Sequence, residues 1–61
     1  MRNPDRIEPF LAEVAKHWHK VPDWRFGQFI SNVLCYYGHD PFFMEEDQFV
    51  SLLEEYFKEF D

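Results

Sequence analysis

Apolar residues return at helical spacing three times along this chain. Ile7, Phe10, Leu11, Val14 and Trp18 fall at i, i+3, i+4, i+7 and i+11. Phe26, Phe29, Ile30, Val33, Leu34 and Tyr37 follow at i, i+3, i+4, i+7, i+8 and i+11, and Phe49, Leu52, Leu53, Tyr56, Phe57 and Phe60 repeat those offsets. Each set draws one stripe along an α-helix, so the pattern predicts three amphipathic helices. No segment alternates with a period of two, and the β-like run Pro41-Phe42-Phe43-Met44 is too short to build a sheet. The predicted fold class is all-α, a compact three-helix domain spanning residues 1–61. Its expected core is Phe10, Leu11, Val14, Trp18, Phe26, Phe29, Ile30, Val33, Leu52, Leu53, Tyr56 and Phe57.

Local chemistry sets the expected boundaries. Asn3-Pro4 reads as an N-cap followed by a first-turn proline. Pro9 would remove a bond to the Asp5 carbonyl inside a helix, so a short turn near 4–7 and a main helix from about 9 to 20 are expected. Val21-Pro22 stops that helix. Asp23 is a suitable cap for a second helix over about 24–37, and Gly38 a suitable residue just past its end. Asp40-Pro41 signals a turn. Glu45, Glu46 and Asp47 then favour the start of a third helix over about 45–59, where the helix dipole attracts negative charge.

Size and charge narrow the functional classes. For 61 residues the gain from burial and the loss of conformational entropy are of similar size. An aromatic content of 21% offsets this, because those rings bury the most area each. Cys35 is the single cysteine, so no intramolecular disulfide forms. The net charge is −6, and it is uneven: residues 1–26 sum to +1 and residues 27–61 to −7. That field disfavours direct nucleic-acid binding. A helix-turn-helix reader is also disfavoured, since the second helix offers only Arg25 and the third only Lys58 as basic groups. No basic start precedes an apolar run of roughly 7–15 residues. No uncharged apolar stretch approaches the ~20 residues of a membrane span. A soluble cytoplasmic protein is expected, with no membrane partner.

The chain begins Met1-Arg2-Asn3-Pro4-Asp5-Arg6-Ile7 and continues Trp18-His19-Lys20-Val21-Pro22-Asp23-Trp24-Arg25-Phe26-Gly27-Gln28. It thereby resembles a set of small uncharacterised bacterial and phage-borne proteins that share the patterns M-R-[ND]-P-x-R-I and W-x-x-x-P-D-x-R-x-G-Q. Asp40-Pro41-Phe42-Phe43 and the acids after it also fit. The resemblance implies a bacterial or phage origin and a short stand-alone protein, and it assigns no catalytic or binding residue. Read without it, the second pattern has structural duties: Trp18 closes the core of the first helix, Pro22 breaks it and Asp23 caps the next. Arg25 is placed to reach an acidic neighbour such as the third helix. Gly27 is expected where another backbone or a large ring, such as Trp18, comes close. The functional reading makes Trp24, Arg25 and Gln28 a recognition edge.

Catalytic constellations are missing, and the chain is expected not to be an enzyme. His17 and His19 lie two apart, about 200° around a helix, and cannot share a metal ion. Cys35 with His39 lacks a third residue and an oxyanion-forming turn. With two glycines in all, no phosphate-cradling loop exists. No metal site or cofactor is expected.

From Phe26 to His39 the sequence has no Asp, Glu, Lys or Arg for fourteen residues. The face of the second helix opposite its core stripe would carry Trp24, Gln28, Ser31 and Cys35. Either this helix is sandwiched between the other two, with Trp24 folded back over its start, or a protein covers it, a foreign partner or a second copy of the chain. The expected function is a small non-enzymatic protein-interaction or regulatory module using Trp24, Arg25, Gln28, Ser31 and Cys35. The alternative is an acidic nucleic-acid mimic that inhibits a host DNA- or RNA-binding protein. It rests on the −7 balance of residues 27–61 and on acids of the third helix such as Glu55 and Glu59, spaced where helix stability does not ask for them.

Overall fold

In a computed structural model, which describes residues 2–60 with side chains through Lys58, the three stripes form three helices. We label them α1 (Ile7–Trp18), α2 (Phe26–Tyr37) and α3 (Glu46–Tyr56). Among the described residues there is no strand. The expected Glu55–Glu59 pair and the Phe60 end of the third stripe lie outside the described side chains.

The helix ends follow local hydrogen bonds. Asn3 Oδ1 accepts from the Asp5 N–H at 2.9 Å and opens a 3-10 turn over Pro4–Arg6. That turn runs straight into α1, which starts at Ile7 rather than at 9. Pro9 is the third helical residue, where a backbone N–H has no partner inside the helix anyway, so the helix accommodates it. Beyond Trp18 the chain turns, with the Val21 N–H donating to the Trp18 carbonyl at 2.9 Å.

α2 starts at Phe26, not at 24, and its cap is Arg25 in extended conformation rather than Asp23. The cause is Trp18, whose Nε1–H donates to the Trp24 carbonyl at 2.9 Å and holds that residue in the connection. Gly38 ends α2 with φ 78°, a left-handed conformation that favours glycine, and its N–H donates to Leu34 O at 3.0 Å. At the start of α3 the Glu45 N–H donates to Gln48 Oε1 at 2.8 Å. α3 tightens into a final 3-10 turn over Phe57–Phe60.

The acidic helix, not the uncharged one, is central. α3 packs on both α1 and α2, which touch each other mainly where Trp18 meets Phe26 and Phe29. A column of rings forms the centre: Trp18 stacks on Phe29 at 5.6 Å and Phe29 on Phe57 at 5.8 Å between centroids. Phe29, Val33, Leu53 and Phe57 are fully buried. His17 joins them at 3% exposure, its ring 6.0 Å from that of Phe57. Its Nδ1 lies 2.8 Å from the Glu13 carbonyl, which can only accept, so Nδ1 carries the proton.

Three expected core residues are outside this centre: Phe10, half-buried, and Leu11 at 53% and Phe26 at 60% exposure. Their stripes are wider than the strip of each helix that α3 covers. Gly27 also departs from expectation, because a Cβ there would meet nothing within 4 Å. Gly27→Ala should therefore stabilise the fold by about 0.5–1 kcal/mol through the unfolded chain's lost freedom. A melting temperature raised by several degrees checks this, and a lowered one refutes it.

Candidate interaction surface

An apolar groove of about 370 Å³ is lined by residues of both α1 and α2. Phe10, Leu11 and Val14 form one wall, and Phe26, Ile30 and Leu34 the other. Phe49 of α3, whose ring sits 5.8 Å from that of Phe10, forms the floor, and Pro41 and Met44 close one end. The walls carry no charged side chain. Glu45 and Glu46 at the end of the groove are paired with Arg2 and Arg6 respectively, which ties the chain start to the start of α3. Arg6 also donates to Asn3 O at 3.0 Å.

Next to the closed end, Phe42 and Phe43 project into solvent at 79% and 84% exposure. Their 3-10 turn is held by Asp40, whose Oδ1 accepts from the Phe42 N–H at 3.1 Å, and by the Met44 N–H donating to Pro41 O at 2.9 Å. The two rings meet edge-on at 4.8 Å.

The structure separates the residues that the sequence grouped as an edge. Trp24 is half-buried and faces inward, its ring 6.2 Å from that of Phe57. Arg25 is exposed at the cap of α2, and no ion pair joins it to α3 among the described residues. Gln28, Ser31 and Cys35 are exposed together on α2, roughly 135° around the helix from the Phe26-Ile30-Leu34 wall. What the pattern did not single out is the groove itself. Its only trace in the sequence is the fourteen-residue uncharged run, since a helix lining an open apolar groove has apolar positions beyond its core stripe.

On the far side of α3 from Phe49, Asp47, Ser51, Glu54, Glu55 and Lys58 are exposed. Glu55 accepts from the Tyr36 hydroxyl at 3.2 Å. Among the described residues no group of three or more His, Cys, Asp or Glu gathers as a metal site, and no helix is long and apolar enough to cross a membrane. No family model, curated protein or solved structure matches this chain.

Proposed function

We propose that the chain is a small non-enzymatic protein-interaction module, of bacterial or phage origin, that receives apolar side chains of a protein in the groove between α1 and α2. The observation that carries this reading is an apolar-walled groove flanked by Leu11 and Phe26, each more than half exposed, whose acidic residues Glu45 and Glu46 sit at one end in ion pairs. Exposed aliphatic and aromatic groups around a concave surface gain about 25 cal/mol per Å² when a partner covers them. Gln28, Ser31 and Cys35 lie on another face of α2, outside the groove, and offer a separate neutral surface.

The second reading is an acidic surface that imitates nucleic-acid phosphates, favoured by the exposed Asp47, Glu54 and Glu55. Salt response separates the two. Binding through the groove should hold from low to high ionic strength, whereas binding through the acidic face should weaken steeply as salt screens it. The test is affinity capture from bacterial lysate at two salt concentrations. A partner kept at high salt, lost on Leu11→Glu, and kept on Glu54→Lys/Glu55→Lys supports the groove. A partner lost at high salt and on the lysine variant refutes it and favours the acidic face.

A further inference from the structure

We propose that the groove is occupied by a second copy of this chain, each copy seating its Phe42–Phe43 pair in the groove of the other. This rests on the groove being an interaction site and names the occupant. Phe42 and Phe43 are the most exposed large apolar side chains described, and the Asp40-Pro41 turn fixes the backbone that carries them before any contact is made. A projection already rigid loses little freedom on docking. Pro41 and Met44, which bracket the pair, line the groove, so projection and receptacle share one face. A two-fold contact requires that arrangement, because the same patch must serve on both copies.

Area supports a copy of this chain as the occupant, and the charge distribution permits it. At exposures of 60%, 79% and 84%, Phe26, Phe42 and Phe43 offer roughly 450 Å² of apolar surface. That is more than half of the ~800 Å² per partner of a standard stable interface, and Ile7 and Leu11, exposed at 43% and 53%, add to it. Two chains of net charge −6 repel, and that cost is least where they meet on neutral surface. The groove walls and α2 are neutral, and Glu45 and Glu46 are already matched by Arg2 and Arg6.

Stability points the same way. Disulfides, metals and self-association are among the ways chains of this size reinforce a thin core, although many fold alone. Here Cys35 is the single cysteine, and no metal cluster exists among the described residues. A second copy is at hand wherever the chain is made, which is not true of a foreign partner.

Sedimentation equilibrium of the full chain across the micromolar range, at moderate and high salt, tests this. The chain should dimerise, and salt should not dissociate the dimer. Phe42→Ser/Phe43→Ser and, separately, Leu11→Glu should each weaken self-association on the order of 100-fold. Mixing the two variants should restore pairing, because a mixed pair keeps one intact projection facing one intact groove. If either variant loses its helical circular dichroism when alone, recovery of that signal on mixing counts the same way.

A chain monomeric throughout the range, dimers unaffected by both variants, or no recovery on mixing would overturn the proposal. A monomer that still captures a protein in a Leu11-dependent manner sinks only the second copy as occupant. A monomer with no such capture sinks the interaction reading as well.

Discussion

Phe29→Ala should leave the chain unfolded at room temperature. Phe29 is fully buried, and its ring lies between those of Trp18 and Phe57 in the stacked column that joins all three helices. Removing it leaves a cavity bounded by rigid aromatic faces that cannot collapse inward, and such truncations cost about 3–5 kcal/mol. A domain of 61 residues is expected to have roughly 3–9 kcal/mol in total. Loss of helical circular dichroism and of a cooperative melt is the expected result. An unchanged melt would show that the column does not hold the helices together.

Trp18 should separate packing from hydrogen bonding. Trp18→Ala removes the top of the column and the bond to the Trp24 carbonyl together, with an expected loss of about 3–5 kcal/mol. Trp18→Phe keeps a ring against Phe29 but leaves the Trp24 carbonyl without its indole donor. That should cost about 1–3 kcal/mol, and the α1–α2 connection should exchange its amide hydrogens faster. Chemical denaturation of both variants measures the split. Equal losses would mean that the ring packing adds nothing beyond the hydrogen bond, or that the smaller ring does not stay in place.

The stripes were legible because helical periodicity depends only on which side of each helix meets the rest of the chain. Gly38, Asn3 and the Asp40-Pro41 turn were legible for a similar reason, since their effects act within a few residues. Legibility ended where a distant side chain decided the outcome. Asp23 is a good capping residue, yet the Trp18 indole anchors the Trp24 carbonyl, and α2 begins two residues later than expected. Trp24 consequently sits in the connection, and the stripe drawn through it with Gln28, Ser31 and Cys35 does not exist on the helix. Leu11 and Phe26 carry the periodicity of core residues, but periodicity cannot tell a covered face from one that lines a groove. His17 is polar by composition and buried in fact, because its ring sits against Phe57 and its Nδ1 finds a carbonyl one turn back. Arg2 and Arg6 find their partners 43 and 40 residues away, a pairing no local pattern encodes.

The central place of α3 also bears on how the fold is reached during synthesis. α1 and α2 leave the ribosome first, but they touch each other mainly through Trp18, and the surface on which both rest is made afterwards. Until Leu53 and Phe57 emerge, Phe29 has only one of the two rings it stacks between, that of Trp18, and the buried cluster around Val33 is incomplete. Translation therefore leaves the apolar faces of α1 and α2 largely uncovered until α3 is made, so late closure rather than helix-by-helix folding is expected. That interval, more than the finished domain, is when such a nascent chain would be open to chaperones and proteases.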